Sequence, residues 1–330
     1  MSAPTPLAAL LPQLTDAAWT TAALSAFVES GALDSFDRPL TPEELGARVG
    51  APPAMLGALL DVIVAQGLAR RGEGGRVELG PELAAARGGG LAARVLRDDL
   101  RRIAGQPAAL VAEAREGRLA PGWRHLDAAL IDAQGTFAEL HTDLLFVRGI
   151  VPRLGDLDAR LRRDGGRVLD VGAGAAGNAI GFCRAWPAVT VTGLEPWAPS
   201  RARGERRIAE EGLGDRIALR DQRVEDLDEA GVYDLVWLPQ MFLDDATFGR
   251  ALRTCRRALR PGGWLVSAWI ADEAAPGVAG ALARLRDLAF GGAARGRATL
   301  ERRLAEAGFE ACVSVPLGAG AIGTVGGRAP

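Results

Sequence analysis

The sequence predicts an α/β chain: a mainly parallel sheet of seven strands, one of them antiparallel, preceded by a mainly helical N-terminal domain. Three observations predict it. From residue 167 onward, short apolar runs alternate with segments of helical spacing. The first run, residues 167–171, ends in Gly172-Ala173-Gly174 and is followed at once by a helical pattern over 176–185. The last two runs, near 309–316 and 320–326, lie close enough together to form a hairpin.

Taken in order, residues 15–30 place Trp19, Ala22, Ala23, Ala26 and Phe27 on one helical stripe. A second helix starts at Thr41-Pro42-Glu43-Glu44, where Thr41 caps, Pro42 suits the first turn and Glu44 completes a capping box. A third follows Pro52 and Pro53 and ends at Gly67. Residues 68–79 alternate around Gly72-Glu73-Gly74-Gly75, a hairpin signal, so this order reads as a winged helix. Residues 88–106 and 107–165 read as helical, broken at Gly88-Gly89-Gly90, Gln106-Pro107 and Ala120-Pro121-Gly122. Strands are expected at 167–171, 189–194, 216–220, 233–238 and 263–270, with helices at 176–185, 199–211, 246–259, 279–289 and 297–307. Domains are expected at 1–105, 106–165 (a helical connector) and 166–330.

Composition narrows the function. Of 330 residues 48% are apolar and 24% charged, and the formal net charge is −2, which gives no electrostatic case for nucleic acid or membrane as partner. All the basic residues are Arg; without Lys, Schiff-base and catalytic-lysine chemistry are excluded. Two His and three scattered Cys (Cys183, Cys255, Cys312) argue against a zinc site and suit free thiols in the cytoplasm. The first residues carry no basic stretch and no apolar run approaches ~18 residues, so neither a signal peptide nor a membrane span is expected.

The glycine turn carries the most information. Gly172 and Gly174 permit positive φ and close approach by a ligand, and Glu195 closes the next apolar run about 20 residues on, where an acid can accept both hydroxyls of a ribose. Strand, glycine turn, helix, strand and terminal acid together read as a nucleoside-binding βαβ unit.

Residues 160–326 resemble a class I S-adenosylmethionine-dependent methyltransferase, a Rossmann-like fold. With the N-terminal module the chain is similar to two-domain small-molecule O-methyltransferases that dimerise through a winged helix. The resemblance rests on Val168-Leu169-Asp170-Val171-Gly172-Ala173-Gly174, on Glu195, on Tyr233-Asp234-Leu235-Val236, on Leu259-Arg260-Pro261-Gly262-Gly263 and on Ala307-Gly308-Phe309. It implies S-adenosyl-L-methionine as cofactor, bound by Asp170, Gly172, Gly174 and Glu195, with the turn amides facing the methionine part. Pro196, Trp197 and Val224 would flank the adenine, and Gln134 would lie on the helix roofing the site. It also implies a homodimer and a small-molecule methyl acceptor.

Three departures stand out. A glycine common in the family falls at Gly177, leaving Ala176 in its place. The segment before the adenine contact reads Gln222-Arg223-Val224-Glu225-Asp226, so Asp221, Glu225 or a backbone amide would cap the base. Met241 stands about where such O-methyltransferases carry a histidine base, and a thioether takes no proton.

His141, on the face of Gln134, is the leading replacement base; the competing reading is a histidine in a packing layer. A histidine base would give a kcat/KM inflection near pH 6–7. His125 is a weaker candidate. Asp244, with Asp245, lies past the fourth strand and reads as a base, as a contact orienting a cationic substrate, or as a helix cap. Trp237, Gln240, Met241 and Trp269 are placed at the substrate, Trp237 and Trp269 equally as core. Arg284 and Arg286 read as solvated, or as a carboxylate clamp.

The leading function is methyl transfer from S-adenosylmethionine to a small, secondary metabolite, with oxygen favoured over nitrogen or carbon. Two alternatives stand beside it: an enzyme of this fold that uses the cofactor without transferring methyl, and a winged-helix transcriptional regulator. Against the regulator, residues 52–66 hold one charge, Asp61, and no Arg to meet phosphates.

Overall fold

The computed structural model describes residues 6–269, 277–317 and 322–330. Residues 1–5, 270 and 320–321, which enter the expectations above for the N-terminus and two strand ends, lie outside the described residues. The chain forms two compact units, Met1–Ala109 and Leu110–Pro330.

The first unit is built from α1 (Leu7–Glu29), α2 (Pro42–Val49), α3 (Pro53–Ala65), the hairpin β1 (Ala69–Arg71) and β2 (Val77–Leu79), α4 (Pro81–Ala85) and most of α5 (Leu91–Arg115). The Thr41 capping box forms in full: Thr41 Oγ1 accepts from the Glu44 amide and Glu44 accepts from the Thr41 amide. Leu56, Leu60 and Ile63 bury one stripe of α3 against Phe27, Phe36 and Leu45. Gly74 and Gly75, both at positive φ, turn the hairpin. α1 starts earlier than its apolar stripe suggests and buries only Ala23, Phe27 and Val28. The helix break expected at Gln106-Pro107 is absent, because α5 runs on through Pro107; a proline there forgoes one backbone hydrogen bond without ending a helix held by its flanks.

The second unit opens with α6 (Ala128–Leu140), capped by Asp127, whose carboxylate accepts from the Ala129 and Leu130 amides. A π-helical segment, His141–Ile150, continues it without a break. Such segments are rare and recur at functional sites. After α7 (Leu157–Arg162) the alternation read from the sequence appears: β3 (Arg167–Val171), α8 (Gly177–Ala185), β4 (Thr190–Leu194), α9 (Ala198–Glu210), β5 (Ile217–Arg220), β6 (Tyr233–Trp237), α10 (Asp245–Ala258) and β7 (Leu259–Trp269). α11 (Gly277–Ala289), α12 (Arg297–Glu306), β8 (Glu310–Leu317) and β9 (Ile322–Arg328) complete it. The sheet order is β5-β4-β3-β6-β7-β9-β8, and β9 alone runs antiparallel. β7 begins four residues before the expected 263, since Tyr233 already pairs with Leu259 and the register shifts before Leu235↔Trp264.

Both sheet faces are covered, one by a layer that includes Phe146, Ile180, Phe182 and Trp186, the other by Phe248, Leu252, Leu300 and Leu304. Strand order reverses between β3 and β6, which run on either side of a switch point where open-sheet folds bind ligands at the carboxyl ends. Among the described residues no single helix is long and apolar enough to cross a membrane.

Candidate active site

At the end of β3 the chain turns through Gly172 (φ +66°) and Gly174 (φ +56°), conformations that favour glycine. A Cβ at Gly172 would lie 3.6 Å from Pro239, and one at Gly174 3.9 Å from the Gly172 carbonyl, so the turn leaves room beside its backbone. Its amides, however, are engaged. Gly172 and Ala173 donate to the Leu194 carbonyl at 2.8 and 3.1 Å, and Gly174 donates to Glu195 Oε2 at 2.8 Å. The expectation that these amides face a ligand is corrected: pairing with Leu194 and Glu195 at the end of β4 uses them.

Glu195 Oε1 accepts from the Trp197 amide at 2.7 Å, so two backbone donors fix the carboxylate at the end of β4. It is 7% exposed, and burial raises its pKa. Asp170 is wholly buried and neither carboxylate oxygen has a partner at hydrogen-bond geometry. Burial pushes it up to about 7, against some relief from Asn178 and the Ala179 amide. A bound cation or donor would repair that deficit.

Packing explains the two departures at the turn. Ala176 takes the left-handed conformation a glycine would prefer, φ +61°. At Gly177 a Cβ would sit 2.0 Å from the Gly135 carbonyl and 2.9 Å from the Glu139 amide. Glycine is therefore demanded at 177 by the crossing of α6 on α8. α6 is held there by buried Glu139, paired with Arg184 and, at 2.6 Å, with Arg207; Arg207 also donates to the Ala175 carbonyl at 2.9 Å. Gln134 lies half-buried on the same helix.

Trp197 is half-buried beside exposed Pro196, and its Nε1 donates to the His125 carbonyl at 3.1 Å. Val224 is buried in the core with Leu194 and Leu227. Asp221 pairs with Arg201 and Glu225 with Arg250, so both acids considered for the adenine are engaged in ion pairs.

On the other side of the switch point, His141 is half-buried, 5.7 Å from the Trp237 ring and 6.4 Å from Phe137, and makes no hydrogen bond to a described residue. Burial lowers its pKa to about 4. A histidine inflection at pH 6–7 is thereby corrected for this residue, because desolvation disfavours the imidazolium. Trp237 is 6% exposed and packs edge-on against Phe146 at 5.8 Å. With the Asn178 amide nitrogen donating to Thr142 Oγ1 and the Ala138 carbonyl, its oxygen accepts from Trp237 Nε1 at 3.1 Å.

At two positions the structure bears on alternatives left open by the sequence. Asp244 is the cap of α10: it accepts from the Thr247 amide at 2.9 Å and hydroxyl at 2.8 Å, which lowers its pKa and makes it a weaker base. Trp269 is a core residue, 2% exposed, occupying the space that Gly323 opens in register on β9.

Gln240 is fully buried. Its Oε1 accepts from Arg295 Nη1 at 2.8 Å while Nε2 has no partner. Arg295, 2% exposed, also donates to the Gln240 and Leu243 carbonyls at 3.1 and 2.9 Å and to Asp245 at 2.8 Å, fixing the turn after β6. Met241 is half-buried, its backbone pressed against Gly292. Phe242 stacks on Phe290 at 5.6 Å, and Trp123 meets both edge-on at 5.7 and 5.4 Å.

Sequence reasoning missed Arg295, Phe290 and Asp287, a buried acid on α11 whose Oδ1 is unpartnered. The signal for Asp287 runs backwards. The apolar stripe of α11 (Val278, Leu282, Leu285, Leu288) is exposed, and the small face with Gly280, Ala283 and Asp287 is buried.

Comparison with known proteins agrees with this architecture. A methyltransferase-domain family model matches residues 168–263. The sarcosine/dimethylglycine N-methyltransferase of Halorhodospira halochloris is 33% identical over 117 residues, 35% of this chain and 41% of that enzyme. The matched stretch thus spans under half the length of that curated relative. Among solved structures, the S-adenosylmethionine-dependent methyltransferase SibL in its apo form has a TM-score of 0.68 at 25% identity, over 98% of this chain and 100% of that one. Human N-acetylserotonin methyltransferase in complex with S-adenosylmethionine has a TM-score of 0.71 at 18% identity, over 99% of each chain. The chain carries a methyltransferase domain in a class I fold, a domain that implies S-adenosylmethionine as its cofactor.

Proposed function

We propose that the protein transfers a methyl group from S-adenosylmethionine to a small, secondary metabolite, with oxygen as the favoured acceptor atom. One observation carries this reading: Glu195 is fixed by the Gly174 and Trp197 amides at the end of β4, beside a glycine turn that leaves open space. A carboxylate so held still has lone pairs for both ribose hydroxyls. Asp170 supplies buried negative charge for the amino group of the methionine part, and Pro196 and Trp197 flank the adenine. When bound, the cofactor supplies an electrophilic methyl on a sulfonium centre.

The chain's own work is positioning and exclusion of water. α6, locked on the turn through Gly135, Gly177 and Glu139, roofs the site as a connector between the domains. His141, with its low pKa, is neutral at pH 7 and lines the acceptor side with Trp237 and Met241. The first unit serves as a winged-helix module for homodimerisation in the cytoplasm. Supporting this, α1 exposes Leu7, Leu11 and Leu14 along one face and Trp19 farther round the helix, apolar surface suited to a second copy.

The test is transfer of label from methyl-labelled S-adenosylmethionine into a small-molecule extract of the producing cells. Label in a low-mass product supports the reading; labelled donor left intact by protein that binds it favours a non-methylating use of the cofactor.

A further inference from the structure

Two side chains at the acceptor end of the sheet are buried with unpartnered polar atoms, and the atoms are complementary. Asp287, 2% exposed, offers Oδ1 as an acceptor; Gln240, fully buried, offers Nε2 as a donor. α11 packs on the Gln240–Phe242 turn. The Gly292 amide donates to the Asp287 carbonyl at 2.9 Å, while a Cβ on Gly292 would lie 2.2 Å from the Met241 carbonyl. Asp287 thus belongs to the neighbourhood of residue 241, where a thioether stands in place of a base. Arg295 ties the two together: it bonds Gln240 Oε1, and its charge acts on Asp287.

Buried donors and acceptors seldom stay unpaired, and a ligand carrying one of each would satisfy both. Flat apolar surface adjoins them. Phe242 lies two residues past Gln240, Phe290 three past Asp287, and their rings stack at 5.6 Å with Trp123 edge-on. Resting on the methyl-transfer reading, we propose that Asp287 takes the proton of the acceptor and Gln240 binds an oxygen beside the reacting one. The acceptor is then an aromatic hydroxyl with a neighbouring oxygen.

In the step, a lone pair of the hydroxyl oxygen forms the bond to the methyl carbon. The carbon–sulfur pair returns to sulfur, and the hydroxyl proton passes to Asp287 Oδ1 and then to water. Burial raises Asp287 to about 6, so it is mostly ionised at neutral pH yet more basic than a free carboxylate. The charges acting on it are Arg286 on its own helix and Arg295, itself held by Asp245. The Gln240–Phe242 turn brings no titratable group, and the loop packed on Ala289 brings Arg124, bonded to the Pro121 carbonyl, and His125, stacked edge-on to Trp123.

The test uses the full chain with labelled S-adenosylmethionine, catechol as probe and benzene-1,4-diol as its counterpart without a neighbouring oxygen. Catechol should be preferred at least about tenfold in kcat/KM. Asp287→Asn should lower kcat about 10²–10³-fold and remove the inflection near pH 6. S-adenosylhomocysteine binding should stay within about threefold, and Tm should rise by about 2–4 °C because a buried unpartnered charge is gone. Gln240→Glu keeps the Arg295 contact, removes the donor and should abolish the preference for catechol.

Absence of transfer to catechol by protein that binds S-adenosylhomocysteine overturns the acceptor class. Asp287→Asn activity within about threefold of the parent, or a lowered Tm, overturns the role of Asp287. Failure to bind S-adenosylhomocysteine at all is a different result, and it strikes the methyl-transfer reading beneath.

Discussion

The two ends of the switch point are built by different means. Around β3 and β4 the site is backbone: positive-φ glycines, amides folded back on Leu194 and Glu195, and a helix crossing so close that only glycine fits at 177. Around β6 and α11 it is side chains gathered from far apart, with Arg295 reaching back to Gln240 and Phe290 stacking on Phe242. The first end leaves little freedom, since a Cβ at 177 would collide with α6. The second is assembled from separate side chains that can be exchanged one at a time, among them Met241, where the family resemblance would place a histidine.

If that contrast holds, the backbone end should be the least tolerant of small changes. Gly177→Ala forces a methyl to within 2.0 Å of the Gly135 carbonyl, and denaturant unfolding should show a loss of about 3 kcal/mol. A loss under about 1 kcal/mol would mean that α6 can shift off the turn.

At the side-chain end the largest effect should come from Arg295→Leu. It strands the Gln240 side-chain oxygen and two carbonyls that now accept from the guanidinium, a loss of about 2–3 kcal/mol by the same measurement. Cofactor affinity should stay within about threefold, since the damage lies at the other end.

The pH response of His141 sharpens the contrast further. Its folded pKa, lowered to about 4 by burial, lies below the ordinary value of 6.5. The unfolded chain therefore binds a proton first, and folding stability is present above pH 6.5 and lost as pH falls toward 4. His141→Gln should flatten that part of the stability profile. An unchanged profile would place the acid sensitivity elsewhere.

The smallest effect should come from Ala176. It holds φ +61°, which glycine would relieve, but its methyl is fully buried in the core, so in Ala176→Gly the two effects oppose and denaturant unfolding should show a change of less than about 1 kcal/mol.

Legibility in the sequence followed the same division. β3, α8, β4 and the acid at 195 fall within a residue or two of their expected bounds, because contiguous residues carry both the period and the turn. The capping box at Thr41 is equally local and formed as written. Asp244 was readable in more than one way, and the Thr247 contacts decide for the cap. Trp269 stayed open because a large ring at a strand end looks alike in a pocket and in a core; the deciding neighbour, Gly323, lies on a distant strand. Asp287 was hidden for a stronger reason. Amphipathic reading assumes that the apolar face of a helix is the buried one, and α11 reverses this, leaving Leu282, Leu285 and Leu288 exposed.

The central claim is that the carboxylate fixed by the Gly174 and Trp197 amides receives the ribose of the cofactor. Titration calorimetry of S-adenosylhomocysteine into the parent and into Glu195→Ala tests it directly. We expect one site per chain in the micromolar range for the parent and a loss of about 1.5–3 kcal/mol in the variant, the scale of a charge-assisted hydrogen bond. Absence of binding by the parent, or equal affinity in the two proteins, would contradict it.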